Sequence, residues 1–269
     1  MKSHKRLKTV LLDMDGVLWQ GPEPVLDIQV LFDRIQESNL QVFCVTNNST
    51  RTIDYHIKKL TRLNVSLDRS QIITSAEGTA EFIAEKFPKG SALFVIGEEG
   101  INVALERRGY RILEDDSGDE AMAVVVGLDR ELTYRKLDLA TRHIHRGAFF
   151  VGTNPDLTIP TPSGQAPGAG TIIKAVEISS GTKPYVIGKP FSTLFSLALK
   201  RADCLPEETL MIGDRLETDI QGAQQMGMMN AVVLTGISSR EQAESWIPTP
   251  DIIGENAIRV IEKIGKDDG

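Results

Sequence analysis

The sequence predicts an α/β fold built on parallel sheet, and three observations predict it. Nine short apolar runs recur along the chain, at 10–12, 42–45, 72–73, 93–96, 123–126, 149–151, 185–187, 210–212 and 231–234. They are rich in Val, Ile and Leu and continuous rather than alternating, as in strands buried on both faces. Amphipathic stretches separate them, with Ile28, Leu31, Phe32 and Ile35, then Ile53, Ile57, Leu60 and Leu63, at helical spacing. Glycines close several of these stretches, as C-cap residues do: Gly109, Gly147, Gly181 and Gly227. Strand and helix therefore alternate, which defines the class.

Taken in order, the first run ends at Asp13 and the second at Thr46, with the helical pattern at 28–35 between them. The helix at 53–63 leads into the run at 72–73. After the run at 93–96 and the helix closed by Gly109, residues 114–120 are acidic and turn-prone and read as a solvated loop. The helix ending at Gly147 carries His143 and His145 in its last turn, where positive side chains suit the helix dipole. Residues 155–170 are rich in Pro and Gly and longer than an ordinary connection, so a functional loop is expected there. The last three runs alternate with helices in the same manner.

The chain has 269 residues, enough for one core plus a sizeable insertion. Its net charge of −7 argues against steering a polyanion, so no nucleic-acid partner is expected. Cys44 and Cys204 form no CxxC pair and read as reduced thiols. The first apolar run stops at Asp13, too early for a signal peptide, and no segment approaches the length of a membrane span. A cytoplasmic protein with no membrane partner is expected.

In an open parallel sheet, ligands bind beyond the carboxyl ends of the strands. Four such ends carry chemistry: Asp13, Asp15 and Gly16; Thr46, Asn47 and Asn48; Lys189; and Asp214 with Asp219. Clustered carboxylates repel unless a cation joins them, and hard oxygen ligands suit Mg²⁺. A lysine and small polar donors beside them suit a phosphate. Singly, each piece has a plainer reading: Asp15-Gly16 as a tight turn, Asp214 and Asp219 as helix caps. A calcium loop fails because Gly16 comes too early and Pro24 stands in place of the closing glutamate; a P-loop fails because Pro190 follows Lys189. Trp19, just after the first cluster, either lines an entrance or simply packs.

DMDGVL at 13–18, VTNN at 45–48, Lys189 in GKP, and GDRLETD at 213–219 resemble the four motifs of the haloacid dehalogenase superfamily. LWQG at 18–21, TSAEGTA at 74–80, GTNPD at 152–156 and SGTKP at 180–184 extend the resemblance to its NagD-like, p-nitrophenyl-phosphatase-like class IIA. The resemblance implies a Rossmann-like core at 1–78 and 184–269 with a large α/β cap inserted at 79–183. It implies a Mg²⁺-dependent phosphatase acting on a small phosphorylated metabolite. Asp13 would be the nucleophile, transiently phosphorylated, and Asp15 the general acid/base. Mg²⁺ would be held by Asp13, the main-chain carbonyl of Asp15 and Asp214. Asp219 would support a bound water or orient Lys189, and Thr46, Asn47, Asn48 and Lys189 would bind the phosphoryl group. In the cap, Asn154, Asp156 and Ile159 are candidates for substrate specificity, and a homodimer through the cap is plausible by resemblance. The alternatives are a phosphomutase-like enzyme of the same superfamily and a non-catalytic binding protein on the same scaffold.

Overall fold

The computed structural model describes residues 7–114, 120–161 and 164–267. Five of the residues expected to form the acidic loop, 115–119, lie outside them. The chain divides into two compact units, one made of residues 1–46, 56–73 and 189–269, the other of residues 47–55 and 74–188.

The first unit carries a six-stranded sheet in the order Ile252–Gly254, Met229–Val233, Thr209–Gly213, Thr9–Leu12, Gln41–Thr46, Ile72–Thr74. Pairing is parallel from Ile252–Gly254 across to Gln41–Thr46. Val10, Leu11 and Leu12 are fully buried, as are Met211, Ile212, Val232 and Val233. At about 1.5–3 kcal/mol per buried aliphatic side chain, this continuous burial on both faces is what a parallel strand requires. Register matters for function. Leu12 lies opposite both Ile212 and Cys44, so the chain leaves the central strands at one level. The Asp13 amide still donates to the Ile212 carbonyl at 2.9 Å, which extends the ladder into the first acidic motif.

The helix Ile28–Glu37 starts where Asp27 accepts a hydrogen bond from the Val30 amide, and it buries Ile28, Leu31 and Ile35. Beyond Thr209–Gly213 the chain enters a π-helical turn, Leu216–Ile220, before the helix Gln221–Met226, which Gly227 ends in the left-handed region at φ +76°.

The second unit has its own five-stranded parallel sheet, ordered Tyr185–Val186, Phe149–Gly152, Ala123–Val126, Ala92–Ile96, Arg111–Leu113. Its core gathers Phe94, Ile96, Val124, Val126, Phe150 and Ile173. All nine expected runs are strands. His143, expected as a charged partner for the helix dipole, is instead buried against the Phe94 ring, with centroids 5.2 Å apart. The Pro/Gly-rich stretch is not a structureless loop: Thr158–Thr161 and Gly164–Pro167 pair as an antiparallel hairpin. Among the described residues, no helix is long and apolar enough to cross a membrane.

Candidate active site

Lys189 organises the first unit's polar centre. The residue is 1% exposed, and its Nζ lies 2.8 Å from Asp13 Oδ1, 2.6 Å from Asp219 Oδ1 and 2.8 Å from the Val45 carbonyl oxygen. Two strand ends and the π-helical turn thus converge on one ammonium. The wide turn Leu216–Ile220 aims Asp219 inward, and its Oδ2 accepts the Arg215 amide at 3.1 Å. Asp214, directly after the Thr209–Gly213 strand, accepts the Ile237 amide on Oδ2 at 2.8 Å. Its Oδ1 is buried and takes no hydrogen bond.

Glycines make room for that carboxylate. Gly16 sits at φ +85°, and a Cβ there would stand 2.3 Å from Asp214 Oδ2; one on Gly236 would stand 1.9 Å from the same oxygen. Only a residue without a side chain lets these loops close over Asp214.

Asp13, Asp214 and Asp219 each bring a carboxylate oxygen within 4.8 Å of the other two. Burial raises the pKa of all three. Asp214 is pushed up to about 8, by burial and then by the charges of Asp13 and Asp219. Asp219 rises to about 6, burial outweighing the attraction of Lys189. Burial alone would lower the pKa of Lys189, but Asp13 and Asp219 hold it above the usual lysine range. One ammonium against three carboxylates leaves two negative charges uncompensated when all are ionised. That excess, the hard oxygen donors and the unpartnered Asp214 Oδ1 fit a divalent cation such as Mg²⁺.

Asp15 stands apart from this cluster. The residue as a whole is exposed, but its carboxyl is partly buried, which raises its pKa, and Oδ1 accepts a hydrogen bond from Trp19 Nε1 at 3.1 Å. Lys59 lies over the Trp19 ring, its Nζ 3.8 Å from the centroid, and donates to the Gly21 carbonyl at 2.8 Å. No sequence signal pointed to Lys59, because only the fold brings the helix Ile53–Thr61 to the Trp19 turn.

Thr46 closes its strand as a buried residue of the first unit. Asn47 and Asn48 belong to the second. There, Asn47 Nδ2 donates to Asp156 Oδ2 at 3.2 Å, and the Asn47 carbonyl accepts from Ser75 Oγ at 2.6 Å and Asn154 Nδ2 at 2.8 Å. Asn48 Oδ1 accepts the Thr50 and Arg51 amides, closing a local turn. Of the three residues expected to set specificity, Asn154 is buried and Ile159 packs against the second unit's core, whereas Asp156 is partly exposed.

Comparison with known proteins identifies the chain's relatives. A family model described as haloacid dehalogenase-like hydrolase matches residues 10–111, and one described as HAD-hydrolase-like matches residues 186–258. An acid sugar phosphatase of Staphylococcus aureus is 35% identical over 241 residues, covering 90% of this chain and 92% of that one. Among solved structures, a p-nitrophenyl phosphatase from Archaeoglobus fulgidus superposes with a TM-score of 0.89 at 28% identity, over 96% of this chain and all of that one. NagD from E. coli K-12 gives 0.84 at 28% identity, over 94% and 98%. A glycerol phosphate phosphatase from Mycobacterium tuberculosis, in complex with magnesium, gives 0.84 at 30% identity, over 96% and 77%.

Proposed function

Because this chain belongs to the haloacid dehalogenase-like hydrolase family, in its NagD-like and p-nitrophenyl-phosphatase-like class, we propose that it hydrolyses small phosphate monoesters, sugar and polyol phosphates first among them, through a phosphorylated Asp13. The observation that carries this reading is the buried Lys189 held between Asp13 and Asp219, with Asp214 adding a third carboxylate to one cluster.

Asp13 needs no base to act, since a carboxylate is already a nucleophile once ionised. Lys189 holds one Asp13 oxygen, fixing the carboxylate and opposing, without cancelling, the rise in pKa that burial imposes. An Asp13 oxygen attacks phosphorus, the bond to the ester oxygen breaks, and Asp15 gives its proton to the departing alkoxide. Asp15, now ionised, takes a proton from water; the resulting hydroxide attacks the same phosphorus, and Asp13 leaves as a free carboxylate with inorganic phosphate released. Lys189 and Thr46, with Asn47 and Asn48 by resemblance, bind the phosphoryl oxygens. Asp13, Asp214 and the Asp15 main-chain carbonyl would hold Mg²⁺, with Asp219 supporting them. The ion would supply charge neutralisation at the phosphoryl group, the main demand of this chemistry. Residues 79–183 are proposed as the cap that sets substrate preference, with Asp156 as its best candidate.

Two measurements test the reading together. Chelator-treated enzyme should lose at least ~95% of its p-nitrophenyl phosphate hydrolysis and regain it with Mg²⁺, and Asp13→Asn should lose at least ~10³-fold with its circular dichroism unchanged. Full turnover by Asp13→Asn, or undiminished activity in excess chelator, contradicts it.

A further inference from the structure

We infer that Trp19 is the positioning residue for Asp15, its indole N–H fixing one carboxylate oxygen so that the other faces the departing group; the inference rests on the acid/base role proposed above for Asp15. Asp15 has one hydrogen bond to a side chain among the described residues, from Trp19 Nε1 to Oδ1 at 3.1 Å. An aspartate with no such partner samples several rotamers, and a proton donor in the wrong one is out of line with the ester oxygen.

The backbone leaves little freedom in how these two side chains meet. Gly16 N donates to the Trp19 carbonyl at 2.7 Å, while Leu18 N and Trp19 N both donate to the Met14 carbonyl, at 2.9 and 3.3 Å. Asp15 and Trp19 are bridged across this closed turn. The turn is anchored on both sides, by Gly16 packing against Asp214 and by the Val25 amide on the Leu18 carbonyl at 3.1 Å. Trp19 is 2% exposed and lies beside the buried Met14, Val17 and Leu18 of the same turn, so the ring has little room to turn its N–H elsewhere. Lys59 closes its other side: the ammonium stacks on the ring and donates to the Gly21 carbonyl, so ring and hairpin Trp19–Gln20/Glu23–Pro24 are pinned by one group. A tryptophan wanted only for packing would not require its N–H to meet the Asp15 carboxylate.

Trp19→Phe removes the N–H and keeps a ring beneath Lys59. The quantity to compare is kcat/KM, which runs through departure of the leaving group, for two esters. Glycerol phosphate leaves as an alkoxide that needs the Asp15 proton; p-nitrophenyl phosphate leaves as a stabilised phenolate that scarcely does. We expect kcat/KM to fall about tenfold for glycerol phosphate and less than about twofold for p-nitrophenyl phosphate. The preserved nitrophenyl rate also reports an intact fold and metal site. An equal fall for both esters, or no fall for either, overturns the inference. Asp15→Asn, assayed in parallel, separates the two levels: it should show the same split more steeply. If it does and Trp19→Phe does not, the positioning role alone fails; if Asp15→Asn shows no split, the acid/base reading falls and the inference with it.

Discussion

At the scale of residues, Lys189 answers a problem that burial creates. Asp13, Asp214 and Asp219 crowd together out of solvent, and one lysine cannot neutralise three carboxylates. Without a cation, the fold is eased by keeping a proton on Asp214, whose pKa is pushed up to about 8 from an ordinary value of 3.8. Between those values the folded chain holds a proton that the unfolded chain has lost. The stability this contributes is therefore complete below about pH 4 and disappears as pH rises through about 8. Metal-free protein should melt at lower temperature at pH 8 than at pH 5.5, and added Mg²⁺ should raise Tm more at pH 8, by at least ~2 °C. A Mg²⁺ shift independent of pH contradicts the assignment of Asp214 to the cation. Asp13, Asp214 and Asp219 were legible in the sequence because each directly follows, or lies one turn beyond, a strand of the first unit's sheet, and Lys189 because it comes soon after an apolar run, although that run, Tyr185–Val186, is a strand of the second unit's sheet. The Asn47–Asp156 hydrogen bond and the Lys59–Trp19 stack were not, since their partners lie 109 and 40 residues apart and no periodicity links them.

At the scale of elements, strands buried on both faces declared themselves, as 123–126 does with four fully buried apolar residues in a row. Arg111–Leu113 and Ile252–Gly254 did not, being three-residue strands at the edges of their sheets, where little apolar sequence is needed. The hairpin Thr158–Thr161/Gly164–Pro167 was hidden for another reason: it is largely exposed and carries Pro160 and Pro167, so it shows neither alternation nor an apolar run. Turns divide into those that serve only the chain's path and those that serve the site. Gly90 and Gly16 both sit at positive φ, +88° and +85°, but a Cβ on Gly90 meets nothing within 4 Å while one on Gly16 meets Asp214. Gly90→Ala should cost about 1 kcal/mol of stability and leave kcat/KM unchanged. Gly16→Ala should lower kcat/KM by at least ~10-fold and raise the Mg²⁺ concentration needed for half activation, because Asp214 must move. Equal behaviour of the two variants in a Mg²⁺ titration contradicts the role given to Gly16.

At the scale of the whole molecule, the chain builds the first unit from separated lengths of sequence, and the strand order shows what that separation means. The Thr9–Leu12 strand is central: one neighbour, Gln41–Thr46, follows within about 30 residues, whereas the other, Thr209–Gly213, comes some 200 residues later. On a ribosome adding roughly 5–20 residues per second, residues 74–188 alone occupy on the order of 10 s. Throughout that time one edge of this fully buried strand has no partner, while the second unit's five-stranded sheet already has every strand it needs once Val186 emerges. A chain halted at residue 205 should therefore yield a protease-resistant fragment from the second unit and none from residues 9–46; resistance of both would contradict this order. Asp13 is made early, yet Lys189, Asp214 and Asp219, which share its buried cluster, are made late, so a chain halted at residue 205 carries the proposed nucleophile without the two later carboxylates and should hydrolyse no phosphate ester.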